Sequence, residues 1–145
     1  MTTISYHHKD KQIAVDSRTT NGFDIVVSDK ENKTTKNSLG LWFFAGTTGA
    51  GREISQLVEG DRITNTDNKP NVNAFVIHGG LVYLVTLNKA GYCQWQLLDC
   101  NYTIGSGDFF ALAAMDHGGS AKESVEYAMT RDIYTGGKVH VFDVK

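Results

Sequence analysis

Proline occurs once in this chain and cysteine twice. With one proline against fifteen glycines, turns and bends have to be made by glycine. The two cysteines, Cys93 and Cys100, fit neither a zinc spacing nor a C-x-x-C redox pair, so both are expected to be reduced, partly buried side chains. Charge of one sign is also missing. Fourteen Lys and Arg against sixteen Asp and Glu leave a formal net charge of -2, which removes the electrostatic case for a nucleic-acid partner. No apolar run is long enough to cross a bilayer, and the first residues lack the apolar core of a signal peptide. The expectation is a cytoplasmic protein with no membrane partner, in which the sequons at Asn32 and Asn101 carry no meaning. Ligand spacing is absent as well: His7, His8, His78, His117 and His140 are scattered. "GTTGAGRE" falls short of a phosphate-binding loop, because Arg52 and Glu53 stand where Lys and Ser or Thr are needed and Glu53 would repel phosphate. "GSGDFF" has too few glycines for a dinucleotide fingerprint. No cofactor and no metal is expected.

What is present is a chain of 145 residues, read as a single domain over 2–145 and large enough to bury a core. "TTISYHH" and "KQIAVDS" read as a hairpin turning at "KDK", with Ile4 and Tyr6, then Ile13 and Val15, alternating with polar residues. "GFDIVVSD" is a further strand. "LGLWFFAG" is a continuous apolar run of strand length, expected to be covered on both faces. Arg52 to Glu59 reads as a short helix closed by Gly60. Two strands flank Gly79-Gly80, a good two-residue hairpin turn, and "YCQWQLLDCNYTIG" is expected to continue that sheet. "DFFALAAMDHGG" is helical, and Ser120 with Glu123 has capping-box spacing for a second helix. "KVHVFDVK" is the last strand. Strands, a helix, strands, two helices and a strand make an α+β fold rather than an alternating parallel one.

A scattered set of residues remains: Thr2, Asp16, Arg18, Lys33, Gly46, Ser106, Asp132, Thr135 and Gly136. Singly, each has a plain structural explanation. Asp16 suits a strand-end turn, Lys33 a solvated charge run, Gly46 a turn and "YTGG" a helix end. In order along the chain, however, "TTI", "IAVDSRTTNG", a lysine before the next strand, "FFAGTTG", "TIGSGDFFALAA" and "RDIYTGGKVHVF" resemble the landmarks of proteasome β-type and HslV-like subunits over nearly the whole length.

That resemblance implies a four-layer αββα sandwich of the N-terminal nucleophile hydrolase type, here with a reduced helical layer. It implies a threonine peptidase subunit acting on peptide or unfolded protein, in a homo-oligomeric ring, with an ATP-dependent unfoldase as a partner. Thr2, exposed by removal of Met1, would be the nucleophile. Asp16 would orient the lysine, Gly46 would offer its amide to the oxyanion, and Ser106, Asp132 and Thr135 would support the free amine. Lys30 and Lys33 both suit the lysine's place, and Lys33 is preferred because it leads into the next strand. Elementary chemistry agrees with the nucleophile. An N-terminal threonine carries its base on its own backbone, and an α-amine titrates at roughly 7.7–8.0 before a nearby ammonium lowers it. Two other functions fit the same resemblance: a catalytically silent assembly subunit and a small-molecule amidase.

Overall fold

In the computed structural model, residues 2–46, 55, 58–61, 72–88 and 90–145 are described. The chain forms two compact units. The first combines Met1–Lys33 with Asp99–Val144, and the second is Thr34–Leu98 with Lys145. The expected helix from Arg52 to Glu59 falls largely outside the described residues.

The first unit is built on a four-stranded antiparallel sheet. Strand β1 (Thr3–His7) turns at positive-φ Lys11 into β2 (Gln12–Val15), the hairpin expected from the alternation of Ile4, Tyr6, Ile13 and Val15. The sheet order is β10-β1-β2-β11, with β10 (Tyr102–Gly105) and β11 (His140–Asp143) from the far end of the chain. Helix α1 (Asp108–Asp116) packs on β1 and β10, and α2 (Ala121–Met129) on β1 and β2. The expected capping box starts α2: the Ser120 hydroxyl accepts from Glu123 N, and the Glu123 carboxylate accepts from Ser120 N.

The sheet face under the helices is made of small side chains. Ser5 pairs with Ala14 in register, the Ser5 hydroxyl lies 2.7 Å from that of Ser124 of α2, and Ala14 packs with Ala121, Val125 and Val139. Small residues let helix and sheet backbones approach closely. The polar residues that alternate with Ile4 and Tyr6 are covered as well: Thr3 and Ser5 are fully buried, as are Ile4 and Tyr6 on the opposite face. A short ribbon, β3 (Thr19–Thr20) with β4 (Val26–Ser28), completes this unit, and Phe23, Ile25 and Val27 beside or within it are exposed.

The second unit is an antiparallel meander in the order β5 (Thr34–Asn37), β6 (Gly40–Gly46), β7 (Val72–His78), β8 (Leu81–Leu87), β9 (Cys93–Leu97). Gly79 and Gly80 both have positive φ, so the hairpin between β7 and β8 turns as the sequence suggests. Trp42, Ala74, Val76, Val85 and Cys93 form a buried cluster, and the Trp42 indole nitrogen donates to Asn37. The segment expected to continue one sheet instead divides: β9 pairs with β8, whereas β10 pairs with β1 in the other unit. The expectation for the cysteines also needs correction. Cys93 is buried, which pushes its thiol up to about 11, but Cys100 is exposed.

Gly105 sits opposite Thr3 with φ +103, and an added Cβ would overlap the Thr2 carbonyl group, whose carbon would lie 2.7 Å away. Gly118 has a similar φ of +102 but open space around it. Gly105→Ala is therefore expected to cost on the order of 2–3 kcal/mol, from backbone strain and steric overlap, against about 1 kcal/mol for Gly118→Ala. Urea unfolding of both variants checks this, and equal losses would contradict it.

Candidate active site

Thr2 precedes β1 directly, and Asp16 follows β2 directly. Because Ile4 pairs with Val15, the register of this hairpin brings the two residues together at the same end of the sheet. The Thr2 hydroxyl donates to Asp16 Oδ1. The Thr3 amide donates to the same oxygen at 3.3 Å, and the Gly136 amide donates to Oδ2 at 3.0 Å. Asp16 is 0% exposed, so a carboxylate with this many donors meets the condition under which a buried charge is tolerated.

Lys33 completes the group. Its Nζ donates to Thr2 Oγ1 at 2.6 Å and to Asp16 Oδ1 at 2.8 Å. Lys30 and Lys36 are exposed, so of the lysines in "SDKENKTTKN" it is Lys33 that reaches Thr2. The path of that segment is fixed upstream: Glu31 N donates to Ser17 O at 2.9 Å, and the Ser17 hydroxyl lies 2.8 Å from Asp29 O. Burial holds the Lys33 ammonium below its ordinary value of 10.5, while the charge of Asp16 pulls it back up.

Gly136 reaches Asp16 because it has no side chain. A Cβ there would run into the Arg18 guanidinium. Arg18 lies flat in that place because its Nε and Nη2 form a bidentate pair with Asp29 at 2.8 and 3.1 Å, and its Nη1 donates to Ile133 O at 3.1 Å. The pairing with Asp29 raises the Arg18 pKa and lowers that of Asp29.

A second polar cluster lies on the backbone side of Thr2. Ser106 N donates to Thr2 O at 2.7 Å, and the Ser106 hydroxyl donates to Asp132 Oδ2 at 2.5 Å. Thr135 Oγ1 donates to the same carboxylate oxygen at 2.6 Å, and Tyr134 N donates to Oδ1 at 3.1 Å. Thr2, Asp16, Lys33, Ser106, Asp132, Thr135 and Gly136 thus come together within the first unit. Gly46 ends β6 in the second unit with φ 136. Thr47 to Gly49, which follow it, lie outside the described residues. Sequence reading overlooked Thr3, which is fully buried among these groups. The small and Ala-rich residues of the later helices were the available signal that polar residues of β1 would be covered.

The site contains a hydroxyl held between a buried ammonium and a carboxylate, which is chemistry suited to a nucleophile. Among the described residues no cluster of His, Cys, Asp or Glu could hold a metal ion, and no helix is long and apolar enough to cross a membrane. Strands dominate the described residues, and this mostly β arrangement with two described helices is the fold of the HslV class. Eukaryotic HslV from Trypanosoma brucei superposes with a TM-score of 0.70 at 18% identity, covering 97% of each chain. BPH from Thiobacillus denitrificans superposes with a TM-score of 0.65 at 17% identity, covering 99% of this chain and 98% of the other. A second structure of BPH, in complex with epoxomicin, gives a TM-score of 0.66 at 17% identity over 99% of both chains. No family model matches the sequence, and no curated protein matches it.

Asp16→Asn strands a buried ammonium beside an uncharged amide, so it should lose roughly 3–5 kcal/mol of stability at neutral pH. The penalty should depend on pH. Because the folded-state value of Lys33 lies below 10.5, the folded chain gives up this proton before the unfolded chain does. This group's contribution to stability is therefore present above 10.5 and lost as pH falls through the lowered value. Without the Asp16 charge, the Lys33 value drops further and the neutral amine forms at a lower pH. The gap between wild type and Asp16→Asn should accordingly narrow as pH rises toward 10.5. Urea unfolding at several pH values reads it, and a gap independent of pH would contradict the pairing.

Proposed function

We propose that the chain is a threonine-type peptidase subunit whose nucleophile is the Thr2 hydroxyl, freed as the first residue by removal of Met1. The observation that carries this reading is the placement of Lys33 Nζ 2.6 Å from Thr2 Oγ1 while paired with buried Asp16. A surface lysine or a structural threonine needs no such arrangement. The fold shared with HslV, and with BPH in complex with epoxomicin, supports the same reading.

In the proposed reaction the Thr2 α-amine takes the hydroxyl proton as Oγ1 attacks the peptide carbonyl carbon. The new C–O bond gives a tetrahedral oxyanion, for which the Gly46 amide is the proposed donor. The amine then passes its proton to the leaving nitrogen, the C–N bond breaks, and an ester on Thr2 remains. Water, deprotonated by the same amine, hydrolyses that ester and restores the hydroxyl. Lys33 acts by charge: its ammonium lowers the pKa of the amine and stabilises the developing alkoxide. Asp16 keeps that ammonium in place. Ser106, Asp132 and Thr135 hold the Thr2 backbone so that amine and hydroxyl face the same substrate carbon. Work in a homo-oligomeric ring in the cytoplasm, on peptide or unfolded protein and with an ATP-dependent unfoldase, belongs to the same proposal.

Turnover of a panel of fluorogenic peptides by protein starting at Thr2 tests the reading. Thr2→Ala and Lys33→Ala should each lose at least about 10²-fold in kcat, whereas Lys30→Ala and Lys36→Ala should stay within about twofold, since exposed charges are individually worth little. The wild-type pH profile should rise as the α-amine deprotonates, at or below roughly 7.7–8.0. It should fall again as Lys33 loses its proton, below 10.5. Undiminished turnover in Lys33→Ala, or no turnover of any peptide by wild type, would contradict the proposal.

A further inference from the structure

Thr3 contacts both polar groups that flank Thr2, and nothing in the proposed reaction uses it. Its side chain is 0% exposed. Its backbone faces the Asp16 side: Thr3 N donates to Asp16 Oδ1 at 3.3 Å, and Asp16 N donates to Thr3 O at 3.3 Å. Its hydroxyl faces the other way, accepting from Gly107 N at 3.1 Å and lying 2.7 Å from Thr135 Oγ1.

The proton directions along this chain are determined by counting. Thr135 has one hydroxyl proton, and it goes to Asp132 Oδ2 at 2.6 Å. Thr135 Oγ1 must therefore accept from Thr3 Oγ1. The sequence of donors is Gly107 N–H to Thr3, Thr3 O–H to Thr135, and Thr135 O–H to Asp132. One threonine thus joins the turn leading into α1 to the loop after α2. The adjoining Ser106 amide holds the Thr2 carbonyl from that same turn. The surroundings are crowded: an added Cβ at Gly107 would meet Thr3 Oγ1, Ala128 Cβ at 3.0 Å and Thr135 Oγ1 at 3.1 Å.

We propose that Thr3 is a positioning residue: its buried hydroxyl locks the Ser106–Gly107 turn to the Asp132–Thr135 loop and so fixes the backbone that carries the Thr2 amine and hydroxyl. The inference rests on Thr2 being the nucleophile. A displacement of about 1 Å in a reacting group costs on the order of 10²-fold in rate, so a locked backbone matters to the chemical step more than to substrate binding.

Thr3→Val keeps the shape and removes the hydroxyl, leaving Gly107 N–H without this acceptor, and Thr3→Ser restores the hydroxyl. Thr3→Val should lose about tenfold or more in kcat with KM within about twofold, and Thr3→Ser should recover most of it. Amide exchange at Ser106 should be at least about tenfold faster in Thr3→Val and near wild type in Thr3→Ser. Ser124→Ala, which removes a buried hydroxyl elsewhere in the same unit, should move neither readout. Unchanged kcat in Thr3→Val, or no recovery in Thr3→Ser, would overturn the proposal. If wild type turns over no peptide, the proposed reaction fails, and Ser106 exchange alone then decides whether Thr3 is the lock. If Thr3→Val does not fold, Thr3→Ala removes the same hydroxyl and leaves the Thr135–Asp132 bond in place, and it is read by the same two measurements.

Discussion

The buried pair of Lys33 and Asp16 on the Thr2 hydroxyl is the interaction around which the rest of the first unit is arranged. Taking an ammonium and a carboxylate out of water costs several kcal/mol per ion, and their mutual attraction offsets this only when the remaining hydrogen-bonding capacity is filled. Here it is filled by the Thr2 hydroxyl and by the amides of Thr3 and Gly136. One of these donors depends on groups further away. The Gly136 amide needs a residue without a side chain packed on Arg18, and Arg18 needs Asp29. A hydrophobic pair of the same volume would be at least as stable, so stability alone gives no reason for the charges. On the proposed reading the reason is the hydroxyl they hold.

The fold supplies the rigidity this requires. Both Thr2 and Asp16 flank strands of one hairpin, so their separation is set by sheet register rather than by a loop. Small residues under the helices bring α1 and α2 close to β1, and the turn entering α1 then reaches the Thr2 carbonyl. Gly105 allows that approach, since any side chain there would collide with Thr2.

What could be read from the sequence was whatever local chemistry decides. Gly79-Gly80 made a hairpin and Ser120 with Glu123 made a helix start, because both signals act within four residues. The alternation of Ile4, Tyr6, Ile13 and Val15 located the first hairpin, but not the burial of Thr3 and Ser5, which comes from helices far along the chain. The parting of β9 from β10 was invisible for the same reason: the partner of β10 lies at the opposite end of the sequence. Lys33 could be preferred over Lys30 only by resemblance. In the structure the difference is physical, with the Lys33 side chain 9% exposed on Thr2 and Lys30 in solvent. Thr135 and Ser106 look like ordinary turn residues in isolation, and only the shared Asp132 carboxylate joins them.

The central claim is that the Thr2 hydroxyl is a nucleophile that uses its own amine as base. The most direct measurement is to treat two preparations, one beginning at Thr2 and one retaining Met1, with an electrophilic peptide probe and to locate the adduct by tandem mass spectrometry. The expected result is a single adduct on Thr2 in the first preparation and none in the second, whose Thr2 nitrogen is an amide and no base. Equal labelling of Thr2 in both preparations, or labelling only at another residue, would contradict it.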